Sequence, residues 1–230
     1  MRRLAEDRSG ASALIVASSP LADLVAVCLH HTACRSEIAT STDIAREQLS
    51  DRRPDLLVVD LALDGGAAIN LVCARAGSEQ PATIALVGRR SHWSSLDAFS
   101  HGADQVVTVP FTPDELAVRA FALLRTFGVV TAITRTQQRA GLVLNIDETV
   151  RIGDRTLRLT PGQNSLLFLL ASRACEQVSF DAIREFTWGG DPHAGDDVVA
   201  RRVGDLGRVL PAGTRQRIEA VEGGFILRMS

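Results

Sequence analysis

Short apolar runs, separated by amphipathic stretches, set the pattern of the first 125 residues. The runs are 13–18 (ALIVAS), 55–61 (DLLVVDL), 83–88 (TIALVG) and 105–111 (QVVTVPF). Stretches with helical spacing lie among them at 44–49, 67–76, 94–100 and 113–125, and Ser19 and Pro20 predict another helix, with Ser19 as its N-cap. Strands that are apolar on both faces and alternate with helices predict a parallel sheet covered on two sides. The first half is therefore predicted to be an α/β domain with a doubly wound parallel sheet.

The pattern changes after residue 125. Residues 126–140 break the rhythm and are predicted to be a linker, with at most one short strand. Three short strands with turn residues between them follow (LVLNID, TVRIGD and TLRLT), which is typical of a meander. Helices are predicted at 160–172, 179–188 and 196–210, capped by Thr160, Ser179 and Asp196 or Asp197. A final hairpin is expected to turn at Gly223-Gly224.

Together the two halves resemble the OmpR/PhoB family of response regulators of two-component systems. The resemblance rests on LIVASSP, PDLLVVDLAL, GADQVVTVPFTPDELAVR, LTPGQNSLLFLL, VSFDAIREFTW, VVARRVGDLGRVL and AVEGGF, and it spans nearly the whole chain. It implies a receiver domain over 1–125, with a five-stranded, flavodoxin-like sheet. A linker over 126–140 and a winged helix-turn-helix α+β domain over 141–230 would follow.

The resemblance makes Asp60 the equivalent of the family's phosphoacceptor. The partners that such a site uses are missing: Ala17 and Ser18 replace the acid pair that holds Mg²⁺, Val109 replaces the lysine, and Val87 replaces the hydroxyl. An anionic phosphoryl group reacts with a carboxylate only where positive charge is in place. Asp60 is therefore predicted to be vestigial, and to cap a helix or pair with an arginine.

Other residues of the first half also bear on the site around Asp60. Val106 falls at the family's aromatic switch position, and Asp64 lies on the loop after Asp60. All 25 basic side chains of the chain are arginine, so no lysine can supply the missing ammonium group. Arg89 or Arg90 is the alternative source of positive charge.

The family dimerises through its fourth helix, fifth strand and fifth helix. Glu115 and Arg119 match two of the charged positions there, with Asp104 or Asp97 as replacement partners. The alternative is that Glu115 and Arg119 form an i,i+4 pair on their own helix. We expect a homodimer that does not depend on phosphate and is held mainly by apolar contact.

The helix predicted at 196–210 is the candidate recognition helix. Val199, Val203, Leu206 and Leu210 share one face, and Arg201, Asp205 and Arg208 point the opposite way, with Arg202 on the flank. The guanidinium group of arginine can donate two parallel hydrogen bonds, to a guanine edge or to a phosphate. The alternative is a solvated face with an Arg201–Asp205 pair. Gly204 and Gly207 weaken the helix, by up to roughly 1 kcal/mol each.

Elsewhere in this half, Arg215 and Arg217 are candidate backbone contacts, whereas Glu222 stands where the family's wing offers an arginine. From residue 126 onward there are 13 arginines against 12 acidic side chains, a net charge of +1. A tight DNA-binding domain is usually far more basic. Modest affinity that depends on dimerisation is expected.

Composition limits the remaining classes. The net charge is −2, and no apolar run approaches the roughly 18 residues of a membrane helix. The four cysteines form no C-x-x-C pair, so a metal site of His30, His31 and Cys34 is the weaker alternative to reduced thiols. No G-x-G-x-x-G loop or nucleophile–base pair points to an enzyme.

The expected function is therefore a cytoplasmic, dimeric transcription regulator that binds promoter DNA without phosphorylation and needs no cofactor. The family's role at promoters implies RNA polymerase as a further partner. The alternative is an interaction or small-molecule-sensing module whose winged helix contacts a protein.

Overall fold

The structure is a computed structural model that describes residues 10–73, 80–89, 91–129, 131–134, 136–189, 191, 193–211 and 215–229. The end of the helix predicted at 67–76 and Arg90 lie outside these residues. None of the helices in the described part of the chain has the length and apolar character that crossing a bilayer requires.

The first half is a five-stranded parallel sheet with helices on both faces. In chain order its elements are β1 (Ser12–Val16), α1 (Leu21–His30), β2 (Arg35–Ala39), α2 (Thr42–Asp51), β3 (Leu56–Asp60), a 3₁₀ turn (Leu63–Gly66), α3 (Ile69–Cys73), β4 (Ala82–Val87), α4 (Ser95–Ser100), β5 (Gln105–Thr108) and α5 (Pro113–Thr126). The strand order is β2-β1-β3-β4-β5. This order reverses between β1 and β3, as in flavodoxin-like folds, so the predicted fold class is confirmed.

The second half combines antiparallel strands with three helices. Its described elements are β6 (Thr136–Arg139), β7 (Leu142–Asn145), β8 (Thr149–Ile152), β9 (Arg155–Arg158), α6 (Pro161–Ser172), β10 (Gln177–Ser179), α7 (Phe180–Trp188), α8 (Asp196–Val209), β11 (Gln216–Val221) and β12 (Gly224–Met229). Strands β6 to β9 form one sheet in sequence order, and β12 lies between β10 and β11 in another. Strand β6 falls inside the segment predicted as a linker and pairs with β7.

One apolar core runs from the sheet into the second half. Helices α1 and α5 cover one face of the sheet with residues such as Leu24 and Leu116, and α6 packs against their outer side through residues such as Phe168. A separate cluster under α2, α3 and α4 fills the other face. The layer of α1 and α5 is thus buried between the sheet and α6.

Two predicted helix caps are wrong. Pro20 is the N-cap of α1, because the Ser19 hydroxyl donates to the Asp23 carboxylate at 2.6 Å instead of accepting from the helix backbone. Gly195 caps α8, because Asp196 pairs with Arg184 of the preceding helix. The caps predicted at Thr160 and Ser179 are confirmed.

The final hairpin turns one residue earlier than predicted. Its turn is Glu222-Gly223, with Gly223 at φ 79°, and Gly224 is already the first residue of β12. A Cβ at Gly224 would lie 2.2 Å from the Val178 carbonyl oxygen, so only glycine allows β10 to pair this closely.

This close approach predicts opposite effects for two glycines. Gly224→Ala should lower the free energy of unfolding by roughly 1–3 kcal/mol, because the backbone of β10 must move. Gly204→Ala, on α8, should raise it by up to roughly 1 kcal/mol, since no atom outside its own helix lies within 4 Å of the added Cβ. Urea denaturation of both variants measures this. Equal stability of the two variants would contradict the β10–β12 packing.

Candidate functional site

Asp60 ends β3 at the edge of the sheet where the strand order reverses. It is 9% exposed, and its Oδ1 accepts a 3.0 Å hydrogen bond from the Ala62 N–H. Burial raises the pKa of Asp60, the Ala62 hydrogen bond opposes this, and the charge of Glu185 raises it further. The carboxylate therefore interacts with its own loop, and among the described residues it has no arginine partner and caps no helix.

The groups around Asp60 offer no positive charge among the described residues. Ala17, Val87 and Val109 are all buried. Asp64 serves another element: its Oδ2 accepts from the Thr42 N–H at 2.7 Å, which lowers the pKa of Asp64 and supports the start of α2. No group of three or more His, Cys, Asp and Glu side chains in the described chain is suited to a metal ion.

Helix α7 of the second half covers this edge of the sheet. The rings of Phe111 and Phe186 meet edge to face with centroids 5.4 Å apart. A Cβ added to Gly88 would lie 4.0 Å from Oε1 of Glu185. A carboxylate from α7 thus faces the position where an incoming phosphoryl group would carry its own negative charge.

Arg89 does not replace the missing lysine. Its side chain lies against Gly189, the left-handed C-cap of α7, and its Nη1 is 3.8 Å from Oδ2 of Asp191. The arginine thus connects the loop after β4 to the end of α7.

The predicted dimerisation residues are engaged within the chain. Glu115 and Arg119 form an i,i+4 pair at 3.1 Å, and Arg119 also donates to the Val106 carbonyl oxygen at 3.3 Å. Asp104 accepts from the Thr83 N–H at 2.8 Å, and Asp97 completes the capping box of α4. These charges therefore have roles in the monomer.

Sequence analysis missed the apolar surface beside them. Leu96 and Phe99 on α4 are 75% and 50% exposed, and Val118 on α5 is 50% exposed. Both helices flank β5, the edge strand of the sheet. The spacing of Leu96 and Phe99 was the available signal, but it is equally typical of a buried helix face.

Helix α8 buries Val199, Val203 and Leu206 and exposes its arginines. Arg201 and Arg208 have side chains that are 71% and 78% exposed. The Arg201–Asp205 pair, which the alternative interpretation of this face predicted, is wrong, because the structure pairs Arg201 with Asp197 and Asp205 with Arg208.

Each of these arginines has an aspartate on its own helix. Nη2 of Arg201 lies 3.8 Å from Asp197, and Nη1 of Arg208 lies 2.6 Å from Asp205. Arg202 is also exposed. Much of the positive charge on this face is therefore balanced locally.

Arg184 on α7 positions the start of α8, which sequence reasoning did not find. It pairs with Asp181 and Asp196, and its Nε donates to the Ala194 carbonyl oxygen at 2.7 Å. No local spacing connects Arg184 with Asp196, because a loop separates them.

A groove of about 640 Å³ runs between α8 and the hairpin of β11 and β12, which we call the wing. Arg208 and Arg217 lie on its rim, and Nε of Arg217 is 2.7 Å from Glu219. Arg215 lies at the start of β11, and Glu222 is exposed at the tip of the wing. Of the predicted DNA-contacting arginines, the structure thus brings Arg208 and Arg217 together at this groove.

The buried carboxylate predicts how stability depends on pH. The folded pKa of Asp60 is raised, so the folded state binds more protons, and its stability falls as pH rises from the unfolded value of 3.8. Asp60→Asn should therefore be more stable than the wild type at pH 7, with the difference shrinking towards pH 3.8. Urea denaturation at several pH values measures this, with Asp43→Asn as an exposed control. A destabilised variant at pH 7 would contradict the raised pKa of Asp60.

Comparisons with known proteins extend over both halves. The chain is 30% identical over 200 residues to the transcriptional regulatory protein PrrA of Mycobacterium tuberculosis, covering 84% of this chain and 86% of PrrA. It is 24% identical over 210 residues to the phosphate regulon transcriptional regulatory protein PhoB of Escherichia coli, covering 89% and 91% of the two chains. No model of a known protein family matches it.

Solved structures of response regulators also align with the chain. One is the response regulator DrrB of Thermotoga maritima, with 19% identity, a TM-score of 0.41 and coverage of 94% of this chain and 98% of that one.

Proposed function

The chain belongs to the OmpR/PhoB family of response regulators, and on that premise we propose that it is a dimeric transcription regulator that binds promoter DNA without phosphorylation of Asp60. The observation that carries DNA binding is the exposed arginine face of α8, opposite its buried stripe. Binding would place α8 in the major groove, and RNA polymerase would be the further partner at the promoter. The cytoplasm, where the chromosome lies, is the proposed location.

The groove between α8 and β11 suits the sugar-phosphate backbone that separates the two DNA grooves. Its rim carries Arg208 and Arg217, and the glycines of α8 leave the side of the helix open there. Phosphate contacts of this kind fix register and orientation, and base contacts from α8 would supply sequence preference. Glu222 at the wing tip opposes phosphate, so affinity would rest on α8 and on pairing of two half-sites.

Independence from phosphate rests on the surroundings of Asp60. The lysine and hydroxyl positions are buried valines, and Glu185 adds negative charge from above. Phosphoryl transfer to Asp60 would bring an anion into a site that already disfavours one. The activity of the regulator would instead depend on its abundance in the cell or on a protein partner.

A second candidate function keeps the fold and changes the ligand. Each of Arg201 and Arg208 lies beside an aspartate, and Glu222 is exposed on the wing. A surface with both charges suits a protein partner better than a phosphate backbone.

A gel shift against fragments from upstream of the gene distinguishes the two functions. Arg201→Ala with Arg208→Ala should weaken DNA binding by roughly 1–3 kcal/mol, about 5- to 150-fold, for each arginine that reads a base, and should flatten the salt dependence. Arg46→Ala, an exposed arginine on α2, is the matched control and should bind like the wild type. Asp205→Asn should bind more tightly, because it frees Arg208.

Two results of the gel shift would count against this proposal. A wild type that shifts no fragment even at low salt would contradict DNA binding and favour the protein partner. Equal binding of the α8 and α2 variants would contradict the role of α8 in that binding.

Sedimentation of the unmodified protein tests the dimer. The exposed Leu96 and Phe99 should be buried between two copies, so Leu96→Asp should weaken the dimer by at least roughly tenfold, about 1.4 kcal/mol. Ile44→Asp, an exposed apolar residue on α2, is the control and should remain dimeric. A wild type that sediments as a monomer would contradict the proposal.

The same sample tests phosphate independence. Incubation with a small phosphodonor and Mg²⁺ should leave the intact mass and the sedimentation unchanged. A phosphoryl adduct that Asp60→Asn abolishes would overturn the vestigial assignment.

A further inference from the structure

His31 lies where the first half and α6 meet a third segment, the one between α5 and β6. We call it the connecting segment, and its described residues near His31 are 131–134. It follows α1 and is fully buried. Its Nδ1 is 2.8 Å from the Thr134 carbonyl oxygen, and its own carbonyl oxygen accepts a 2.6 Å hydrogen bond from the Thr134 N–H. Its ring centroid is 5.8 Å from that of Phe168 on α6. One residue thus joins α1 to both the connecting segment and the second half.

The hydrogen bonds define which nitrogen of His31 carries the proton. A carbonyl oxygen only accepts, so Nδ1 is the donor to Thr134. Nε2 is buried and has no hydrogen-bond partner in the described part of the chain. A neutral imidazole with its proton on Nδ1 satisfies both observations, because it leaves no unpaired N–H donor at Nε2.

A second proton would fit poorly at this position. It would add an N–H donor and a full charge at a buried position where the described residues offer Nε2 no acceptor. A buried donor without an acceptor, and a buried charge without a partner, both cost free energy that solvent would recover. Release of α6 from α1 would expose His31 and remove that cost.

We propose that His31 is an acid-sensitive latch between the two halves: the neutral ring holds α6 and the segment around Thr134 against the end of α1, and protonation opens the junction at that end. This proposal concerns the junction and is independent of what the second half binds.

The direction of the pH effect follows from the protonation states. Burial lowers the pKa of His31 from 6.5, the Thr134 carbonyl opposes this, and His30 lowers it further. The docked state therefore binds fewer protons than the released state. Docking should be insensitive to pH above 6.5 and should weaken as pH falls below it, by up to about tenfold in the docked-to-released ratio per pH unit.

Other groups near the junction do not produce this effect. Residues 131–134 and Phe168 carry no titratable side chain, and Thr131 donates its hydroxyl to the Thr32 carbonyl oxygen. Burial raises the pKa of the Cys28 thiol, which faces Asp114, and of the Cys34 thiol, which faces Asp55, so both stay neutral in acid. Within the part of the chain that the structure describes, His30 on α1 is a further titratable neighbour, and it is exposed.

A second contact between α6 and α1 does not depend on His31. Arg173 at the end of α6 pairs with Asp23 of α1 at 3.4 Å and with Glu176. The Arg173–Asp23 pair lies towards the opposite end of α1 from His31. Release at His31 alone should therefore open the junction from one end.

Small-angle X-ray scattering of the full chain between pH 8 and pH 5.5 tests the latch. The wild type should be compact at pH 8 and should gain radius of gyration below pH 6.5. His31→Asn keeps an N–H donor for Thr134 but cannot gain a proton, so it should stay compact throughout. His30→Asn is the matched control and should expand like the wild type. Expansion of the His31→Asn variant with the wild-type midpoint, or no expansion of the wild type, would overturn the proposal.

A measurement on the unchanged protein covers the case in which His31→Asn does not fold. Nitrogen-15 NMR of the imidazole groups should show His31 with its proton on Nδ1 at pH 8 and a titration midpoint below 6.5. A midpoint at or above 6.5, or a proton on Nε2, would contradict the latch.

Discussion

The packing of α6 on the outer face of α1 is the contact on which the whole arrangement depends. Helix α6 is buried along nearly its whole length, which a helix in a small isolated domain rarely is. Its apolar side chains share one cluster with the sheet of the first half, and each buried leucine or phenylalanine contributes roughly 1.5–3 kcal/mol. Because that cluster is continuous, the second half can lie close enough for α7 to cover the strand ends, and the junction at His31 can be dry.

The coverage by α7 changes what Asp60 can do. In an open sheet, a strand-end carboxylate is solvated and can attract a cation, and a cation is what makes phosphoryl transfer to a carboxylate feasible. Here the carboxylate is nearly buried, its hydrogen bond goes to its own loop, and the charge that acts on it from the second half is that of Glu185. The absence of lysine from the chain removes one route to compensation, and the contact of Arg89 with Asp191 removes another. Among the described residues, this arrangement therefore disfavours a second negative charge beside Asp60, as the proposed phosphate independence requires.

Sequence patterns predicted the elements whose signal is local and missed those set by tertiary contact. The buried strands β1, β3, β4 and β5 stand out as apolar runs, but β2 (Arg35–Ala39) does not, because it is an edge strand with exposed Arg35 and Glu37. Caps followed the same division. Thr160 and Ser179 accept hydrogen bonds from their own helices, as expected, whereas Ser19 donates to Asp23 and Asp196 pairs with Arg184.

The candidate site shows the same division. The exposed face of α8 follows from its periodicity, and so do the missing partners of Asp60 from the residue types at their positions. The covering by α7, the position of Glu185 and the burial of His31 arise from docking of distant segments, for which no spacing in the sequence gives a signal.

The charges on the second half give the last step. A helix that reads DNA gains affinity from phosphates that it neutralises, and in the proposed complex Asp197 and Asp205 would compete with phosphate for Arg201 and Arg208, with which they pair in the structure. Binding must break or share these pairs, which lowers affinity for any backbone but lowers it least where a base edge accepts both donors of a guanidinium. A weakly basic surface of this kind would bind any DNA less tightly but would distinguish better between base sequences. In the proposed complex a second copy of the chain would raise occupancy, because two half-sites held at a fixed separation add their binding free energies.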